Sequence, residues 1–159
     1  MEWTQDYIED TAAQFALETG IRRDILFGLI EIESSWNPFQ IRTEESFFRR
    51  YLQNKERQDL LGWVPSPRQV PTLATELRGR SMSWSVMQIM GDRARMEGFD
   101  DPWFTKLIIP EVGLKYGCRF LVRLFEKHDG DIRKVADGWN GGSDLTYADR
   151  WLEAAKKYA

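Results

Sequence analysis

The sequence predicts a mainly α protein folded as one domain, on three observations. Apolar residues recur at helical spacing along most of the chain. A length of 159 residues suits one compact unit with a real core. No stretch reads convincingly as a strand, and no internal repeat or low-complexity tract breaks the pattern.

Tyr7, Ala12, Phe15 and Ala16 predict a first helix ending near Gly20. A second runs from about Arg22 to Ser35, with Ile25, Leu26, Leu29 and Ile30 on one stripe. Asn37-Pro38 stops it, because the residue before a proline disfavours helical geometry. From Phe39 to Arg80 the pattern loosens, and the region from about 41 to 80 reads as an irregular insert. Within it "ESFFRRYLQNKERQDLL" looks helical, whereas "GWVPSPRQVPT", with three prolines, reads as a loop or extended turn that could rim a cleft. Two helices flank Asp101-Pro102, one from about Trp84 to Met96 and one from Pro110 to His128. "DIRKVADGWN" starts another, broken by "NGGS", and "YADRWLEAAKKYA" closes the chain as a helix.

Composition narrows the functions open to such a fold. Hydrophobic residues make up 42% and charged residues 30%, ordinary for a soluble globular chain, and no apolar run approaches the roughly 20 residues of a membrane helix. A net charge of −3 argues against bulk attraction to nucleic acid or to an anionic membrane. With one His and one Cys, a zinc site or a Cys-His dyad is not expected, and no cofactor is implied. Cys118 lies among apolar residues as a buried thiol, and His128 falls at a helix end, where capping is its expected role. Seven Trp and nine Phe fill a core or line a cleft suited to flat ligands. The acidic, amphipathic N-terminus lacks the form of a secretion signal.

Glu33 is the residue that composition does not explain. It follows Leu26 by seven positions, Leu29 by four and Ile30 by three, so it shares the face of the core stripe. Glu31 lies off that stripe and is expected to be solvated. A carboxyl group in apolar surroundings holds its proton to higher pH, the property a general acid needs. The same spacing also fits a glutamate at a helix end, reaching water or paired with an arginine.

The text around Glu33 bears on that choice. "IESSWNP" resembles the E-S-x-[FW]-N-P motif of the goose-type lysozyme and lytic transglycosylase superfamily. "SWSVMQIMG", Ser83 to Gly91, resembles its G-L-M-Q-[IVL] motif, and "GWNGG", Gly138 to Gly142, its A-Y-N-[AG]-G motif. Between these, "GLKYGCRFLVRLFEKHDGDIRKV" is similar to the family's N-I-x-x-G-A-x-Y-L segment and the helix and turn after it. The matches follow the family's order from about Ile21 to Tyr147.

The resemblance implies a lysozyme-like fold with a glycan-binding cleft, acting on the peptidoglycan of the cell wall. It implies that Glu33 serves first as acid and then as base, cutting between N-acetylmuramic acid and N-acetylglucosamine to leave a 1,6-anhydro end. No second carboxylate acts as nucleophile there, unlike the usual two-carboxylate scheme. By the family pattern Ser34 supports the geometry around the acid, although capping a helix end would serve it equally. Met87 and Gln88 would line the cleft floor, Asn140 would hold the sugar amide or 6-hydroxyl, and Tyr147 would contact the acid. For Met87 the residue type alone suggests core, and for Asn140 a turn before two glycines.

Three departures stand out. Ser85 and Trp139, both counted as substrate-binding positions, replace the first glycine of the second motif and the tyrosine of the third. The insert is the third departure. It carries Glu44, which either enters the cleft as a second acid that positions water or pairs with Arg42, Arg49 or Arg50 on the surface.

The expected partner is a glycan strand, with no nucleic acid and no stable membrane insertion, and the chain is expected to be a monomer. Action on the wall without a secretion signal resembles bacteriophage or prophage lysis proteins, released through a membrane pore or carried in the virion. A hydrolase of muramidase or chitinase type on the same fold, and a non-catalytic glycan-binding domain, are the alternative readings.

Overall fold

Residues 3–66, 68 and 72–159 are described by a computed structural model. The chain is mainly helical, and its first helix, α1 (Gln5–Thr19), begins where the Thr4 hydroxyl accepts the Tyr7 N–H at 3.3 Å. It ends at Gly20, whose φ of 74° is the left-handed conformation a helix stop favours. Its inward stripe is Ile8, Ala12 and Ala16, whereas Tyr7, expected in the stripe, is exposed.

The second helix, α2 (Arg23–Ser34), forms the centre of the molecule. Ile25 to Ile30 are all buried, so this helix is enclosed on every side rather than amphipathic. It ends one residue before the expected Ser35, and Ser35 and Trp36 both take left-handed φ, at 50° and 66°. Glu31 is not simply solvated. Its carboxylate accepts Lys157 Nζ at 2.8 Å, Tyr158 Oη at 2.9 Å and Trp36 Nε1 at 3.1 Å, which ties the chain's C-terminal turn to α2. The Lys157 hydrogen bond is the main cause holding this carboxyl below the usual glutamate range.

Three short strands form an antiparallel sheet that the sequence did not predict. β1 (Ile41–Thr43) pairs with β2 (Met82–Trp84), Arg42 opposite Ser83, and β2 pairs with β3 (Ile89–Met90), Trp84 opposite Ile89. Strands of two or three residues are too short to display alternation, so they left no periodic signal. The helix expected from Trp84 to Met96 is therefore a tight hairpin followed by a shorter helix, α5 (Gly91–Met96). Ser85 (φ 67°) and Gln88 (φ 52°) turn the hairpin, left-handed conformations that no helix interior accepts.

After β1 the insert continues as α3 (Glu45–Phe47), which runs into a π-helical turn, Phe48–Leu52, and later a 3-10 turn, Arg57–Asp59. Pro67, Gln69, Val70 and Pro71 of the expected proline-rich rim lie outside the described residues. α4 (Leu73–Arg80) closes the insert. Here Glu76, Arg80 and Arg95 are fully buried, a placement absent from the sequence expectations. Arg95 donates Nε and Nη2 to the two oxygens of Glu76, each at 2.9 Å. Arg80 donates to Glu76 at 2.8 Å, to Asp92 at 2.9 Å, and to the carbonyls of Leu61 and Trp63, both at 2.8 Å.

α6 (Pro110–Lys127) begins with proline at its first turn and buries one long stripe, including Leu114, Cys118, Leu121 and Leu124. His128 does end this helix, but with its backbone N–H on the Leu124 carbonyl (3.1 Å), not with its ring. Burial pushes the Cys118 thiol up to about 12, so it stays a protonated core group. α7 (Ile132–Asn140) is capped by Asp131 and stopped by left-handed Gly141, and α8 (Tyr147–Ala155) leads into a final 3-10 turn, Lys156–Tyr158.

The α2–α8 contact is the most extensive between elements. A Cβ at Gly28 would lie 2.7 Å from the Ala155 nitrogen and 2.8 Å from its Cα, so the two backbones touch there. Gly28→Ala is expected to lower stability by about 1–3 kcal/mol through overpacking against backbone that cannot rotate away. Denaturant midpoints measure this, and an unchanged midpoint would mean that the helices do not meet at this position.

Two apolar clusters build the interior, one around α1, α2, α6 and α8, the other around Trp84, Phe99, Phe104 and Tyr116, with Phe120 packing against both. Among the described residues no helix is long and apolar enough to cross a membrane.

Candidate active site

The last turn of α2 leaves the core at a groove of about 880 Å³, and Glu33 lines it. Leu26, Leu29 and Ile30, which precede Glu33 on the same face, are entirely buried. The stripe thus carries Glu33 to the point where packing ends and the groove begins. That volume is near the top of the roughly 300–1,000 Å³ typical of ligand sites.

Two donors converge on a single oxygen of Glu33. The Tyr147 hydroxyl donates to Oε1, and Trp139 Nε1 donates to the same atom at 3.1 Å. Oε2 takes no hydrogen bond among the described residues and is not sealed off, so it is the oxygen left for a ligand. Loss of hydration is the main influence on the carboxyl and raises its pKa above the usual glutamate value. The Tyr147 hydrogen bond, the Arg42 charge, the Trp139 hydrogen bond and the Arg150 charge oppose that rise without cancelling it. Burial first, and the neighbouring Glu33 second, push the Tyr147 phenol far above the ordinary tyrosine range, so it remains a donor.

The rest of the site is held by a few polar links. Ser34 donates to the Val86 carbonyl at 2.8 Å, tying the end of α2 to the hairpin turn, and also lies 3.3 Å from the Ile30 carbonyl one turn back in its own helix. Gln88 lines the groove, but its Nε2 is committed to the carbonyls of Gln40 and Ser85, each at 2.8 Å. Only its Oε1 is left to accept from a ligand. Trp139 stacks on Phe120 with ring centres 5.2 Å apart, which fixes its indole beside Glu33. Asn140 also lines the groove and donates to the Asp144 carbonyl at 3.4 Å. Glu44 lines the groove, where it pairs with Arg42 at 2.5 Å and accepts from Ser83 Oγ at 3.2 Å.

Two expected binding residues are elsewhere. Ser85 is fully buried, and a Cβ on Gly113 would come within 2.6 Å of its Oγ, so it faces α6 rather than a ligand. Its left-handed φ explains why glycine suits that position: the backbone conformation, not the side chain, is what the turn requires. Met87 is fully buried too, packed against Gly117 and Cys118, and belongs to the core.

The structure also adds residues that motif reading passed over. Arg42, from β1, and Arg150, from α8, both line the groove and act electrostatically on Glu33. Arg150 is anchored to Asp144 at 2.5 Å, while Asp144 also accepts the Thr146 N–H and hydroxyl at 2.9 and 2.7 Å. Placing Tyr147 and Arg150 three positions apart on a helix that faces α2 is the only sequence signal that pointed toward Arg150. No group of three or more His, Cys, Asp or Glu is arranged to hold a metal ion among the described residues.

Comparison of the chain with protein-family models, curated proteins and solved structures finds no match.

Proposed function

We propose that the protein is a peptidoglycan lytic transglycosylase with a lysozyme-like fold, cutting the β-1,4 bond between N-acetylmuramic acid and N-acetylglucosamine. One observation carries this reading. Glu33 combines a raised pKa, a place in the groove lining, one oxygen held by two donors and one oxygen left open. A proton on Oε2 forfeits no hydrogen bond, so Oε2 is where the acid form keeps it.

From that oxygen the proton passes to the glycosidic oxygen as its bond to muramic carbon 1 breaks. The carboxylate left behind is stabilised by Tyr147 and Trp139, both donors to Oε1. It then accepts the proton of the muramic 6-hydroxyl, whose oxygen closes on carbon 1. The bond count balances: one C–O bond breaks, one forms, and Glu33 regains its proton without consuming water.

Digestion of purified peptidoglycan and mass measurement of the released fragments test this. The expected products carry anhydro ends lighter by one water, and folded protein that releases nothing would overturn the proposal. A hydrolytic outcome is the second reading, favoured by Glu44 in the lining of the same groove, and it is recognised by products at full mass.

Tyr147→Phe removes the hydrogen bond that most restrains the Glu33 pKa. The alkaline limb of the pH–rate profile is expected to move to higher pH, since the acid form persists longer. The rate should fall about 10- to 100-fold through loss of a charge-assisted donor. A limb that stays in place would deny Tyr147 this role.

A further inference from the structure

We infer that Phe47 and Tyr51, on the insert, form an aromatic subsite for sugar rings of the same glycan strand away from the cleaved bond, so that the protein prefers long strands. This deepens the proposed reading of the groove and rests on it. Four observations support it.

Both residues line the groove that holds Glu33, and among the described residues they form a ring pair of their own, apart from the Trp139–Phe120 and Tyr147–Trp151 pairs. Their ring centres lie 5.0 Å apart at 51°, an angled pair with apolar surface left uncovered. Tyr51 is 49% exposed and Leu61, which lines the same groove, 68% exposed. Exposed apolar groups gathered in a groove mark a contact surface. Pyranose rings present C–H faces that rest on such surfaces, with hydroxyls at the rim.

The wall is also held firm. The π-helical turn closes with Gln53 N–H on the Phe48 carbonyl at 2.8 Å, and Leu52 anchors it in the interior. Arg78 lies 3.5 Å from the Phe48 ring centre and pairs with Glu45 at 2.9 Å. Arg80 grips the Leu61 carbonyl from the buried cluster. A π-helical turn of this kind, frequent at functional sites, sets Phe47 and Tyr51 side by side at the groove edge. Arg50 lies over one face of the Tyr51 ring, 5.2 Å from its centre, which leaves the other face for a sugar and adds a cation to the platform.

Binding far from the reacting atoms raises kcat/KM only for strands long enough to reach it. The experiment compares kcat/KM on size-fractionated glycan strands, stem peptides retained, of four sugars and of at least eight. Wild-type protein should favour the long strands. Tyr51→Ala, at a half-exposed position that does not threaten folding, should lower that long-to-short ratio about tenfold, and Phe47→Ala should act in the same direction. Tyr51→Phe should preserve the ratio, because the ring face and not the hydroxyl makes the contact. A ratio indifferent to both alanine variants overturns the subsite, as does its loss in Tyr51→Phe. Folded wild-type protein that cleaves neither length overturns the reading beneath it instead.

Discussion

Replacing Glu33 with Gln is expected to lower the proposed cleavage of peptidoglycan at least about a hundredfold while making the protein more stable at neutral pH. The two effects have one cause. Glutamine keeps the shape and can still accept from Tyr147 and Trp139 through its carbonyl oxygen, but it has no proton to deliver. Loss of a general acid lowers rates by about 10²–10⁴-fold.

The stability effect follows from the direction of the Glu33 shift. An unfolded glutamate ionises near pH 4.3. The folded carboxyl ionises at higher pH, because loss of hydration outweighs the donors around it. Below the unfolded pKa both states are protonated, and the wild type carries no ionisation penalty. As pH rises toward and through the folded pKa, the unfolded chain gains more from losing its proton, and wild-type stability falls. The glutamine side chain does not titrate. The melting temperature of Glu33→Gln should therefore exceed that of the wild type by a margin that opens above about pH 4.3 and levels off once the folded group is ionised. Thermal melts from pH 3 to pH 8 measure it. A variant that cleaves as fast as the wild type, or a margin that shrinks with rising pH, would remove Glu33 from the role of acid.

The second large effect concerns the charged cluster under the insert. Glu76→Ala is expected to destabilise the protein by about 3–5 kcal/mol, the range seen when one partner of a buried ion pair is removed. Glu76 satisfies Arg80 and both forks of Arg95, and all three side chains are fully buried. Without it, Arg95 keeps only the carbonyls of Phe99 and Asp101 and the faces of Trp63, Phe99 and Phe104 around it. Burial already pulls the Arg95 guanidinium below the usual arginine range, with Glu76 the first opposing influence. Arg80 retains Asp92 and two carbonyls, so the insert should loosen without detaching. Denaturant unfolding gives the magnitude, with the exposed Lys156–Glu153 pair as comparison. Breaking that pair is expected to change stability by no more than about 1 kcal/mol. Equal effects at the two sites would show that the Glu76 cluster is not desolvated.

The Glu76 cluster also shows where sequence reading stops. Glu76 and Arg80 stand four residues apart on a helix, a spacing that reads as a solvated surface pair. Arg95, far along the chain, converts it into an interior group, and nothing local announces that. Glu31 failed in the same way, since its partners Lys157 and Tyr158 arrive from the other end of the molecule. Ser85 and Met87 sat inside a convincing motif, yet the hairpin turns their side chains inward, a consequence of backbone torsions at Ser85 and Gln88.

What the amino-acid order determined by itself is most of the helical skeleton, though not the hairpin before α5, and the exceptional status of Glu33. Both depend on spacing within a few turns, where 3.6-residue periodicity places side chains on shared faces. The end of α2, the stops at Gly20 and Gly141, and the buried Cys118 follow from such local rules. Only the tertiary structure decided that Tyr147 and Trp139 meet on one oxygen of Glu33, that Arg42 and Arg150 stand beside it, and that the insert supplies an aromatic wall. Trp139 and Tyr147 lie more than 100 positions from Glu33, so packing between helices, not any local preference, sets their distance and with it the hydration of the carboxyl group.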